Sequence, residues 1–340
     1  MNKLIIILFF FIVTIISSCD NSNHKKNFVT GDNVDSLLIL SQLLVHDSLN
    51  PKLLTNRAEI FLQKGKIDPA LRDLQSALEL TPYDPQIFIL LSDVYFVLGQ
   101  TDNCIASLKK AIRLNPKDEV PYLKLSETYL LINKPKAAIQ YADEAIIINR
   151  QNAESYYVKA MAQLENRDTS SAILNFRIST NIDSNNYMTY MQLGAIYTKQ
   201  NDTTSATYFK KALVAKPNDE RALYFLGMYY QEDYKFAKAI EMFTSVTDFY
   251  PENKRAYYNM GYIYLVELED FENAKIMFQK AILINPKYVE AVYNLGRTYE
   301  VMGDFESARK QYKTALELLP NYPLAVQGMN RIDDILFRNR

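Results

Sequence analysis

Side chains able to do covalent or metal chemistry are scarce in this sequence. It holds two cysteines, Cys19 and Cys104, and two histidines, His24 and His46. A structural zinc site closes around four nitrogen or sulfur ligands. With His24 in a polar leader and His46 in the first predicted helix, no such set is expected. Acidic neighbours occur as Asp143-Glu144 and Asp333-Asp334. Adjacent helical positions diverge, so these pairs read as solvated faces and not as an acid working with a base. No nucleophile with its base and no phosphate-binding glycine loop is visible. The sequence therefore predicts no enzyme, no cofactor and no bound metal. Its 38 basic and 39 acidic residues leave a net charge of −1. A nucleic-acid binder needs a basic excess to displace phosphate counterions, so that class is excluded. Side chains suited to contact are far better represented, with 25 tyrosines and 10 methionines but no tryptophan.

One cysteine does have a reactive setting. Residues 4–16 are apolar apart from Thr14, and Lys3 stands in front of them. A helix of that length rises about 20 Å, short of the roughly 30 Å hydrocarbon core, which suits a secretory signal better than a permanent span. The run ends in Ile16-Ser17-Ser18-Cys19. This resembles the bacterial lipobox, an aliphatic residue and two small residues before a cysteine. The resemblance implies a diacylglyceryl group on Cys19 and cleavage just before it. Residues 1–18 are then a lipoprotein signal peptide and 19–32 a lipidated polar tether. The expected location is the cell envelope. The outer membrane, on its periplasmic or surface face, is favoured, and the inner membrane stays open because Asp20 resembles a retention signal of some bacteria.

What must position the contact residues is a repeat. Prolines stand at 82 and 116, at 217 and 251, and at 286 and 320, each pair 34 residues apart. Each follows a similar run, as in Ala77-Leu78-Glu79-Leu80-Thr81-Pro82 and Ala281-Ile282-Leu283-Ile284-Asn285-Pro286, so a helix ends there. An upstream helix repeats as well. Tyr257-Tyr258-Asn259-Met260-Gly261-Tyr262-Ile263-Tyr264 lines up with Val292-Tyr293-Asn294-Leu295-Gly296-Arg297-Thr298-Tyr299. Small residues recur at the expected crossing of the two helices, namely Gly194, Gly227, Gly261 and Gly296 on the first and Ala70, Ala138, Ala172, Ala239, Ala274 and Ala308 on the second, with Cys104 in the same slot. Cys104 thus reads as a small buried hydrophobe. Gly65, Gly99, Gly303, Asn133 and Asn201 fall where a helix end needs a left-handed residue, and Arg167 departs from that pattern.

These motifs resemble the tetratricopeptide repeat. The resemblance implies an all-α fold, a right-handed superhelix (α-solenoid) of about eight helix-turn-helix repeats with capping helices. Residues 33–50 are expected to form an N-terminal half-repeat, 51–322 the eight repeats, and 323–340 a C-terminal cap. Repeat five is one residue short and repeat seven one residue long, and irregularity is expected near 165–205.

In that family the first helices line a concave groove. The resemblance places Thr55, Ile89, Leu123, Tyr157, Met191, Tyr224, Tyr258 and Tyr293 at one groove position. It places Glu59, Asp93, Glu127, Met161, Ala195, Met228, Tyr262 and Arg297 at the other. Tyrosine, methionine and arginine suit an interface core, so Tyr157, Met161, Met191, Tyr224, Met228, Tyr258, Tyr262, Tyr293 and Arg297 are the expected partner-binding residues. The expected function is a lipid-anchored envelope scaffold for protein or peptide partners, in assembly, secretion or chaperoning. A glycan-binding lipoprotein on the same scaffold is the alternative, with tyrosines stacking on sugar rings. The absence of tryptophan and of long insertions weighs against it.

Overall fold

The computed structural model describes residues 33–338, so the signal peptide, Cys19 and the tether lie outside the described residues. Everything described is helix, turn or coil, and the chain divides into two compact units that meet in sequence at Asp183 and Ser184.

The first unit begins with a single helix, α1 (Asn33–His46), followed by four helix pairs. These are α2 (Pro51–Gln63) with α3 (Ile67–Leu80), α4 (Pro85–Val97) with α5 (Thr101–Leu114), α6 (Val120–Leu131) with α7 (Pro135–Ile148), and α8 (Ala153–Glu165) with α9 (Thr169–Ile182). Local chemistry sets the boundaries. Asn50, Asp84 and Asn152 accept from the free amides of the next helix, and Pro51, Pro85 and Pro135 open helices where no amide donor is missed. Between the helices of a pair the chain turns through a left-handed residue, Gly65, Gly99, Asn133 or Arg167. Ala70, Ala138 and Ala172 are fully buried at the crossings, and Cys104 is 2% exposed in the matching slot. Its thiol lies 3.7 Å from the Thr128 hydroxyl, and burial pushes its pKa up, as for a packing residue. Arg57 on α2 clamps Asp73 on α3 through two contacts of 2.7 and 2.8 Å. The fork matches the carboxylate, so this largely buried anion is paired.

The second unit also has four pairs and a final helix. They are α10 (Tyr187–Lys199) with α11 (Thr204–Ala215), α12 (Glu220–Glu232) with α13 (Phe236–Phe249), α14 (Lys254–Tyr262) with α15 (Phe271–Ile284), α16 (Val289–Val301) with α17 (Phe305–Leu318), and α18 (Pro323–Arg338). Here the expected glycines do more than shorten the crossing. A Cβ on Gly194, Gly227 or Gly261 would stand 2.5, 2.8 and 2.8 Å from the ring of Phe209, Phe243 or Phe278. A Cβ on Gly296 would stand 2.8 Å from the ring of Tyr312, and one on Gly328 of α18 would be 2.6 Å from the same ring. Each aromatic ring occupies the space a Cβ would need, and Tyr312 closes on two such glycines, Gly296 and Gly328.

The irregularities fall only partly where expected. The expected irregularity near 165–205 is present but small: α11 has 12 residues where the second helix of every other pair has 14, and it starts from Thr203 in a helical conformation. The largest deviation is at Ile263–Glu267, where α14 widens into a π-helical turn and the Leu268 amide reaches the Ile263 carbonyl at 3.1 Å. That turn absorbs the extra residue of repeat seven without moving its neighbours out of phase.

Candidate functional site

The residues expected to meet a partner stand on the first helix of each pair, and the two units treat them differently. In the second unit, Tyr224 and Met228 sit one turn apart on α12, both half-buried. The Tyr224 ring packs against Phe243 with centroids 5.6 Å apart. From α14, the Asn259 side-chain amide donates to the Tyr224 hydroxyl at 3.1 Å and lies 3.1 Å from the Met228 sulfur. The arrangement recurs one repeat on. Tyr258 packs against Phe278 at 5.8 Å and Tyr288 at 5.1 Å, and Asn294 of α16 donates to its hydroxyl at 3.1 Å. Arg297 in turn donates to Asn294 at 3.2 Å. Burial, then the nearby Glu290 charge, pushes the Tyr258 pKa up, so its hydroxyl stays neutral.

An asparagine from each following repeat therefore fixes the tyrosine of the one before. The aligned repeats display both asparagines, since Asn259 and Asn294 follow the matched Tyr258 and Tyr293, but not their role. Their hydroxyl partners lie 35 and 36 residues away, which only the stacking reveals. Tyr262 is half-buried on the same helix as Tyr258. Met191 and Tyr293 are 4% and 8% exposed, and Tyr293 is enclosed by Tyr312 and Tyr322 at 5.7 and 5.5 Å. These two offer a partner little surface. An open cavity of about 500 Å³ lies beside Arg255, lined by charges of both signs including Glu220, Glu252 and Lys254.

In the first unit the row is acidic. Glu59 is exposed on α2, and Asp93 on α4 pairs with Lys124 on α6 at 2.7 Å. Glu127 lies one turn beyond Lys124, and burial together with the neighbouring Glu154 charge pushes its pKa up to about 8. Tyr157 and Met161 on α8 are half-buried, with the Tyr157 ring 5.7 Å from Phe176. Among the described residues no group of three or more His, Cys, Asp or Glu is placed to hold a metal ion. Among them, too, no helix is long and apolar enough to cross a membrane.

Comparison with known proteins follows the same geometry. The tetratricopeptide repeat family matches residues 265–332 in the second unit and 85–118 in the first. No curated protein matches the chain in sequence. Among solved structures, the C-terminal part of a TPR repeat-containing protein from Cytophaga hutchinsonii is similar, with a TM-score of 0.63 and 18% identity. It covers 70% of this chain and 98% of its own. The structure of MamA protein is 23% identical, with a TM-score of 0.44, over 51% of this chain and 94% of its own. At 18% identity the likeness to the Cytophaga hutchinsonii protein speaks for the fold alone.

Proposed function

We propose that the chain is a tetratricopeptide repeat scaffold of the cell envelope, lipid-anchored, that holds a protein or peptide partner against the first helices of its repeats. Proteins of this family bind protein or peptide partners and are generally non-catalytic. The observation that carries the reading is the tyrosine row of the second unit. Tyr224 and Tyr258 are each held at the ring by an aromatic side chain and at the hydroxyl by an asparagine. Ordering a side chain on binding costs roughly 0.5–1.5 kcal/mol, and here the fold has already ordered them. Met228, Tyr262 and Arg297 complete a surface of the residue types that dominate interface energies. Anchoring rests on the Ile16-Ser17-Ser18-Cys19 motif, and the outer membrane is the favoured address.

A photo-crosslinking side chain placed at Tyr262 or Met228 in living cells tests the groove. Discrete crosslinked species are expected from these positions and not from Leu283, which is 82% exposed on a second helix. The same species from Leu283, or none from Tyr262 and Met228, would remove the groove assignment.

A further inference from the structure

The two terminal helices finish their units in opposite ways. A helical repeat stack needs end caps with a polar outer face, because the last helix has nothing further to stack on. On α18, Ile332 and Ala325 are buried while Gln327, Asn330, Arg331, Asp333 and Asp334 lie toward solvent and outnumber the two exposed aliphatic residues there, Leu324 and Val326 at 45 and 38%. Arg331 and Asp333 are also paired, with Glu300 at 2.8 Å and Arg309 at 2.7 Å. That is a polar cap. On α1, Leu44 packs into the core of the first pair and Ser41 meets Arg57 at 3.5 Å. The outward positions from Leu38 to His46 are Leu38, Ile39, Gln42, Leu43, Val45 and His46, and four of the six are aliphatic. Leu38, Ile39, Leu43 and Val45 are 56, 53, 46 and 79% exposed, and Leu49 just beyond is 70% exposed.

We propose that this outer face of α1 lies on the bilayer surface to which Cys19 is tethered, with Leu38, Ile39, Leu43 and Val45 seated at the boundary of headgroups and acyl chains. The inference rests on the anchoring reading above. It is favoured by length: only fourteen residues of chain run from Cys19 to Asn33, at most about 50 Å even when fully extended, so a lipid on Cys19 keeps α1 permanently beside the membrane. An apolar face too weak to capture a free protein suffices once tethering has raised its effective concentration. Interfacial helices need to sink only about 5–10 Å. Lys25 and Lys26 in the tether add attraction to anionic headgroups. A second copy of the chain fits less well. Four aliphatic side chains supply roughly 400 Å² per copy, whereas a stable dimer buries about 800 Å² on each partner.

The absence of tryptophan gives a clean reporter. In the lipidated full protein on vesicles of phosphatidylethanolamine and phosphatidylglycerol, the sole tryptophan of Leu43→Trp should emit to the blue. Brominated acyl chains should quench it, while Leu324→Trp on α18 should be unaffected. Adding Leu38→Glu to Leu43→Trp should reduce the quenching, with unchanged helical content by circular dichroism. An unquenched Leu43→Trp on a protein that still floats with the vesicles overturns the proposal and leaves the anchor standing. A blue shift that appears without vesicles and grows with protein concentration assigns the face to a second copy and overturns it also. A Cys19 peptide that carries no acyl mass overturns the anchor, and the α1 proposal with it.

Discussion

The two units solve one packing problem with different residues. In the second unit the crossing of each helix pair is a glycine against a buried ring, Phe209, Phe243, Phe278 or Tyr312. The 34-residue spacing carries this pair of positions back to Ala160 and Phe176, Ser126 and Ala142, Ser92 and Leu108, and Ala58 and Leu74 in the first unit. All eight of those residues are buried as well. As the first helix gains a Cβ, the second gives up volume, and only Ala160 with Phe176 keeps both. A core held at crystal-like density requires such an exchange. Ser92 with Leu108 and Ala58 with Leu74 keep roughly the filled volume by that exchange, whereas Ala160 with Phe176 exceeds it and Ser126 with Ala142 falls short, so neighbouring side chains must make up the difference there.

The sharpest way to break this comparison is to empty the ring site. Phe243→Ala should cost about 3–5 kcal/mol in urea unfolding, since little nearby can collapse into the space. A loss below about 1 kcal/mol would mean that the ring is not the support of its repeat. Gly227→Ala comes next and is informative by sign. In a helix interior this change ordinarily gains about 1 kcal/mol. Here the new Cβ would lie 2.8 Å from a ring carbon, so a net loss of about 1–3 kcal/mol is expected. Combining Gly227→Ala with Phe243→Leu installs the first unit's solution in the second. The double variant should be more stable than the summed single losses predict, by about 1–2 kcal/mol in a double-mutant cycle. Strict additivity would show that the two positions do not share a volume.

The contrast of surface rows is sharpened by pH. Glu127 has a pKa of about 8 in the folded chain against an ordinary value of 4.5. Between those values the folded state holds a proton that the unfolded state releases, so this group's contribution to stability falls as pH rises through the window. Glu127→Gln should flatten that fall and stabilise the protein at pH 8 and above by about 1–2 kcal/mol, discounted for solvent access. Asp219 in the second unit runs the other way. Burial works to raise its pKa, but hydrogen bonds from Lys216 and from Tyr187, at 2.8 and 2.6 Å, outweigh this and lower it. Its contribution is present at neutral pH and is lost as pH falls through the depressed value. Thermal melts of the Glu127→Gln and Asp219→Asn variants across pH would separate the two slopes.

Spacing made the eight helix pairs and the small crossing residues legible, because helix periodicity and close approach leave marks on each repeat. The turn residues were half legible. Gly65, Gly99, Gly303, Asn133 and Asn201 announce a left-handed backbone by type, and all five adopt it. Tyr234 and Glu269 adopt it too, without any local sign, since the fold holds them there against their own preference. The π turn at Ile263–Glu267 could be counted as one extra residue but not placed, because several positions could have absorbed it. For the candidate surface, residue types picked out Tyr224, Tyr258 and Arg297. They could not show that Tyr293 is enclosed at 8% exposure, which depends on the ring of Tyr322 arriving from the next loop.

Those turns supply the smallest test. In the first unit, Gly99 has φ +70° and open space for 4 Å around the point a Cβ would occupy, so Gly99→Ala meets only the backbone penalty, about 1 kcal/mol. In the second unit, Tyr234 has φ +55° with its side chain 80% exposed. Tyr234→Gly should relieve a similar penalty, less the edge contact with Phe236 at 6.1 Å and the added entropy of a glycine in the unfolded chain. The net gain should be about 0.5 kcal/mol, a rise of roughly 1–2 °C in melting temperature for a chain of this size. If Gly99→Ala destabilises while Tyr234→Gly also destabilises, the Tyr234 ring contributes more than its one visible contact. The exposed tyrosine would then belong to the second unit's packing, as its buried ones do.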